Sequence, residues 1–168
     1  GALITFVVLG VQTFFNNILS GNGIAPYSIL SFLALGAIEE IFKFYAARLV
    51  IEDHEKDFDE PVDAMIYLVV AALGFAAVEN IAAVFNAKEI ALETATLRFI
   101  GATLLHTTSS GLLGYYWARS IIEKKRKLLF LGILFATLLH TIFNYLIIRF
   151  EPATIPTAFL IISALFIL

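Results

Sequence analysis

Glu39, Glu40 and Lys43 stand together in an otherwise apolar stretch, Ala37-Ile-Glu-Glu-Ile-Phe-Lys43. On a helix, Glu39 and Lys43 are four apart and Glu40 and Lys43 three apart, so the ammonium reaches back to either carboxylate on one face. One acid is then neutralised, and the other is left as a proton acceptor and donor. A buried ion pair that only sets helix register would explain one acid and one cation, but not the surplus charge. Phe75-Ala-Ala-Val-Glu79-Asn80 adds a third carboxylate, with Gly74 and the alanines letting another helix approach closely. Alone, Glu79 could simply snorkel to an interface. His106 and His140 lie on separate apolar runs, and Asn144 follows His140 by four, so imidazole and amide stack on one face and both can donate hydrogen bonds. A single histidine in an apolar helix is more often a satisfied core residue. Two of them with an in-phase Asn, opposite three glutamates, point to a site.

The elements that must position these groups are set by composition. Of 168 residues 60% are apolar, only 15% are charged, and the mean hydropathy is +0.91. A soluble helical fold would show polar stripes, whereas here several apolar runs reach about 18 residues, the length that crosses a bilayer. With no cysteine, a disulfide framework, a Cys-based metal site and a thiol nucleophile are all excluded. The formal charge of -3 gives no sign of a nucleic-acid partner. Approximate spans are 2–19, 28–51, 62–85, 96–121, 128–149 and 154–168. Each must be helical, because unpaired backbone in hydrocarbon costs several kcal/mol. The expected fold is an all-α polytopic membrane protein, a bundle of about six transmembrane helices forming a single domain over 1–168. Both ends fall inside apolar runs, which reads as a chain trimmed at each terminus. Arg48, Lys56, Arg119, Lys124, Lys125, Arg126 and Lys127 gather on the side of the second and fourth loops, against Lys88, Arg98 and Arg149 on the other. The Lys124–Lys127 loop is therefore expected to be cytoplasmic. That cluster reads as a topology signal before it reads as a lipid-binding patch. The acidic stretch Glu52 to Glu60, with His54, reads as a solvated connector.

An ionisable residue at a helix centre costs roughly 2.5–3.5 kcal/mol on insertion scales and persists only with a partner or a task. Counting at about 1.5 Å per residue from the external end of each span puts Glu39 and Glu40 about 17 Å down, His106 and His140 about 15 Å, and Glu79 and Asn144 about 9 Å. Antiparallel helices would scatter unrelated polar residues. These gather in the outer half of the bilayer, as around one water-accessible cavity opening externally.

Glu39-Glu40-x-x-Lys43, Phe75-x-x-x-Glu79-Asn80, His106 and His140-x-x-x-Asn144 together resemble the four motifs of the PrsW family of intramembrane proteases. Asp59-Glu-Pro-Val-Asp63, leading into the third span, also resembles that family. The resemblance runs from about Gly36 to Tyr145, and the first and last spans add nothing to it. A wider superfamily includes the CAAX prenyl proteases and bacterial CPBP proteins, which usually have His where this chain has Glu79. The resemblance implies an endopeptidase of a bacterial or archaeal plasma membrane that clips a single-span membrane protein, such as an anti-sigma factor, near the external face. By similarity to glutamate-type relatives, Glu39 or Glu40 would be the general base for a water, assisted by Glu79 or His106. His140 and Asn144 would donate to the oxyanion, worth about 3–4 kcal/mol per donor. Lys43 would hold the partner carboxylate, and Phe75 and Asn80 would support the site.

The same residues admit a metal mechanism, since neutral His and carboxylates are zinc ligands. Glu79, His106 and His140 would then be the ligands. The absence of His-Glu-x-x-His favours the metal-free reading. A serine mechanism through Ser109 or Ser110 is disfavoured, because residues on one helix next to His106 rarely pair as nucleophile and base. Their hydroxyls can bond backbone carbonyls instead. A proton-coupled transporter would use similar groups but would show repeated halves or broken helices. A non-catalytic scaffold would show degenerate motifs, and these are intact.

Overall fold

The computed structural model describes residues 1–51, 58, 60–87 and 91–149. Among them are five helices: α1 (Ala2–Gly21), α2 (Ile29–Ile51), α3 (Pro61–Ala87), α4 (Ala91–Ile122) and α5 (Lys127–Arg149). The first five expected spans coincide with these to within a few residues, apart from α4, which begins five residues earlier. The sixth, 154–168, lies outside the described residues, as do His54 and Lys88.

Local chemistry sets the helix ends. At the end of α1, Gly23 (φ 74°) takes the left-handed conformation, while its N–H reaches the Ser20 carbonyl and that of Ile24 reaches Leu19. This is a Schellman cap, which glycine adopts at no steric cost. Ser28 opens α2 by accepting the Ser31 N–H at its hydroxyl (3.2 Å). Pro61 starts α3, where its missing N–H costs nothing, and the Asp63 carboxylate reaches back to the Glu60 N–H (3.1 Å). Glu60-Pro-Val-Asp63 is thus a helix-start signal in its own right. At the end of α4, Lys124 (φ 53°) makes the same left-handed cap without glycine, with Lys124 bonding Ile121 and Lys125 bonding Ser120.

Three helices are long and apolar enough by length and composition to cross a membrane: Ala2–Gly21, Pro61–Asn86 and Lys127–Leu146. At 23 and 32 residues, α2 and α4 are also long enough. Their apolar character is diluted by Glu39, Glu40 and Lys43 in one, and by His106 with Thr103 and Thr107 through Ser110 in the other. Large apolar side chains point outward on all the helices, including Leu3, Phe6, Leu49, Val70, Phe85, Phe130 and Ile142. In an integral membrane protein these are the lipid-facing surface.

The interior has two halves. Phe44, Ala47 and Ile51 of α2, Ala64, Leu68 and Ala71 of α3, Leu113, Trp117 and Ala118 of α4, and Ala136 of α5 form one apolar core, closed by Phe58. Trp117 meets Phe44 and Phe58 edge-on, at 5.0 and 5.6 Å between ring centres. Here α3 and α4 touch nearly backbone to backbone: a Cβ on Gly114 would sit 2.6 Å from Met65 Cα. In these four helices Glu39, Glu40, Lys43, Glu79, His106, Ser109, Ser110 and His140 lie beyond this core, toward the α1–α2 turn end. The polar cluster therefore stacks on the apolar core along the bundle axis.

Candidate active site

Glu40 is fully buried and saturated. Its Oε1 accepts from Lys43 Nζ (2.6 Å), Ser109 Oγ (2.9 Å) and His140 Nδ1 (2.9 Å), and its Oε2 from Ser110 Oγ (3.2 Å). A carboxylate so surrounded can only accept, so His140 donates from Nδ1, and in the neutral ring its Nε2 carries the lone pair. Lys43, also fully buried, bridges Glu40 to His106 Nδ1 (3.1 Å) and lies 5.3 Å from the centre of the Phe75 ring. An ammonium can only donate, which leaves His106 Nε2 to donate to Glu79 Oε2 at 3.0 Å.

Glu39 is in the opposite situation. Gln12 of α1 donates to its Oε1 (2.8 Å), while its Oε2 is buried without a hydrogen bond. That bare oxygen lies 3.4 Å from His140 Nε2 and 3.9 Å from His106 Nδ1. The two imidazoles meet edge-on at 5.2 Å, and Phe75 packs edge-on against His106 at 5.3 Å. α2 approaches α5 closely here, since a Cβ on Gly36 would touch His140 at 3.5 Å.

Glu39, Glu40, Lys43, Phe75, Glu79, His106 and His140 are thus brought together from four helices. Asn80 is in the adjoining layer and donates to Thr103 Oγ1 (3.0 Å). Asn144 is half-buried one turn beyond His140. Three participants escaped the sequence reading. Ser109 and Ser110 were expected to bond backbone carbonyls. Ser109 does contact the His106 carbonyl (3.3 Å), but both hydroxyls serve Glu40. Gln12 sits in a span that contributed no motif. Its signal was an amide in the apolar run Val7 to Phe15, nine residues from the α1–α2 turn end of α1, against ten for Glu39 in α2.

Glu39, His106 and His140 each offer a ligand atom, all within 4.8 Å of one another, so Glu39 stands where the sequence reading placed Glu79. The donor set fits a divalent metal provided that Lys43 Nζ gives up His106 Nδ1. With His140 neutral, its Nε2 and Glu39 Oε2 face each other as two acceptors, a conflict that a cation or a proton between them removes. Each imidazole also gives its other nitrogen to a carboxylate outside the group, His140 to Glu40 and His106 to Glu79. That is the usual support of a metal-ligating histidine. A cavity of about 290 Å³ lies near the α1–α2 turn, lined by Asn16, Ser20, Tyr27, Ser31 and Leu35 among others. Asn16 and Leu35 are each one helical turn from Gln12 and Glu39.

The profile of the family described as "PrsW family intramembrane metalloprotease" matches residues 1–168. Among curated proteins, the chain is 29% identical over 154 residues to Protease PrsW of Geobacillus kaustophilus, covering 90% of this chain and 65% of that protein. It is 29% identical over 154 residues to Protease PrsW of Clostridioides difficile (88% and 63%), and 30% identical over 157 residues to that of Oceanobacillus iheyensis (92% and 70%). The chain spans about two thirds of the length of these relatives. No solved structure matches it.

Proposed function

Because the chain belongs to the family of PrsW intramembrane metalloproteases, we propose that the buried Glu/His cluster hydrolyses a peptide bond of a single-span membrane protein, such as an anti-sigma factor, near the external face. The observation that carries this is Glu39 Oε2, buried, without a hydrogen bond, and turned toward both imidazoles. Leaving such an atom bare costs about 1–3 kcal/mol unless something occupies the position. Glu40 is already committed to Lys43, His140, Ser109 and Ser110, so of the two adjacent acids Glu39 is the one that faces the reaction.

Glu39, His106 and His140 would hold the metal, which when bound supplies a polarised carbonyl and an activated water. The chain's own residues do the rest. Glu40 and Glu79 fix the orientation and tautomer of His140 and His106. Lys43 pairs with Glu40 and holds it in place, and Phe75 walls one side of His106. Asn144, one turn outward from His140, donates to the developing oxyanion.

A metal-free reading is favoured by one contact, Lys43 Nζ at 3.1 Å from His106 Nδ1, where it occupies the lone pair a metal would need. In that case Glu39 Oε2 is the general base for the water, with His140 Nε2 beside it. Both readings require Glu39. In liposomes, the full-length protein should cleave a model single-span substrate, and Glu39→Ala should abolish cleavage while the protein remains folded. Unchanged cleavage by Glu39→Ala would refute the site. Chelator sensitivity with stoichiometric bound metal supports the first reading, and chelator-resistant cleavage by metal-free protein the second. A folded wild-type protein that cleaves nothing points to the scaffold role.

A further inference from the structure

We propose that Gln12 of α1 is a positioning residue for Glu39, which makes the first helix part of the active site. This rests on the assignment of Glu39 to the reaction.

Gln12 Nε2 donates to Glu39 Oε1 at 2.8 Å, across 27 residues of sequence. A carboxylate has two equivalent oxygens and a broad terminal torsion, so burial alone does not decide which oxygen meets the histidines, or at what angle. The neighbours of Glu39 cannot decide it either. Glu40, Ser109 and Ser110 are bonded to one another, and Lys43 is engaged with Glu40 and His106. The amide of Gln12 is the hydrogen bond that holds Glu39. By taking Oε1 it leaves Oε2 aimed at His140 and His106, parallel to the service Glu40 and Glu79 perform for the imidazoles.

Beyond the close approach of Gly1 and Ala2 to Ala71 and Gly74 at its start, α1 is lightly anchored. Only Thr5 and Val8 are buried, both more than a turn away toward the opposite end from the α1–α2 turn. An uncharged amide at membrane depth is also unfavourable unless satisfied, and Gln12 is satisfied by a site residue and not by its own helix. Thr13 next to it bonds only the Leu9 carbonyl, at 2.7 Å within α1.

The test uses full-length protein in liposomes and a single-span substrate. Gln12→Met keeps length and apolar packing but removes the donor, and Gln12→Asn keeps the amide but shortens its reach. Both should lower kcat by about 10- to 100-fold, the usual effect of losing a group that orients a site residue. KM and the thermal midpoint should hold, and Thr13→Val should match wild type. Zinc titrated onto the metal-depleted protein should bind the two Gln12 variants more weakly by a similar factor, if wild type binds it. Wild-type kcat in Gln12→Met, or a change confined to KM, overturns the inference. So does a fall in thermal midpoint in both variants that accounts for the lost activity. Cleavage lost in Glu39→Ala but kept in both Gln12 variants overturns this inference alone. Cleavage that survives Glu39→Ala overturns the site and this inference with it.

Discussion

Glu40 and Lys43 form an ion pair at 2.6 Å with neither side chain exposed, and removing water from two such charges costs several kcal/mol per ion. The pair is retained because Glu40 is satisfied by Ser109, Ser110 and His140, and Lys43 by His106, so neither charge is left alone. Breaking one partner should therefore be more disruptive than removing both. Glu40→Gln keeps the shape but leaves the Lys43 ammonium opposite a neutral amide, and should destabilise by about 3–5 kcal/mol. Adding Lys43→Met to Glu40→Gln should recover a large part of that loss without restoring cleavage. Thermal or denaturant unfolding in detergent reads this directly. A double variant no more stable than Glu40→Gln alone would mean that the charges are not what holds this layer together. The sequence shows that one of two neighbouring acids is spoken for by Lys43. It does not show which, because both lie within helical reach of Lys43. The choice is made by α4 and α5, which bring Ser109, Ser110 and His140 to Glu40.

Among elements, α3 and α4 make the most extensive pair, and a small residue lets them approach backbone to backbone. A Cβ on Gly114 would fall 2.6 Å from Met65 Cα and 2.9 Å from the Ala64 carbonyl oxygen, with backbone that cannot rotate away. Gly114→Ala should force the helices apart and destabilise by about 1–3 kcal/mol, the range for overpacking. At Gly36 an added Cβ meets His140 at an ordinary 3.5 Å, so Gly36→Ala should be nearly neutral in the same unfolding assay. Equal effects at the two positions would show that the α3–α4 approach is not the limiting contact. The helices themselves were readable, because apolar runs between polar breaks leave the backbone one option in lipid. Cap residues such as Gly23, Ser28 and Pro61 mark the ends. What was not readable is pairing. Small residues announce that some helix comes close, as around Gly74 and Gly114, but not which one. That is also why the first span seemed irrelevant: Gln12 acquires meaning only when α1 is laid against Glu39.

At the scale of the whole molecule, an apolar half and a polar half are stacked along the bundle. The apolar half, around Leu68, Leu113 and Trp117, sits at the end of the Lys124–Lys127 turn, and the polar half toward the α1–α2 turn. Counting depth along each span expected the acids and histidines to share one level. Glu79 and His106, set about 6 Å apart by that count, are 3.0 Å apart. This arrangement gives the turns opposite fates. Basic residues near short loops are retained on the cytoplasmic side, so the Lys124–Lys127 turn should face the cytoplasm. Asn22 and Gly23, at the other end, should then face outward, with the cluster nearer to them. These 168 residues contain no cysteine, so single cysteines can report on each turn. Asn22→Cys should react in intact cells with a maleimide that cannot cross the membrane. Lys125→Cys should react only after the cells are opened. The reverse pattern would put the polar half on the cytoplasmic side, and cleavage would then fall near the inner face of the membrane, whatever chemistry Glu39 performs.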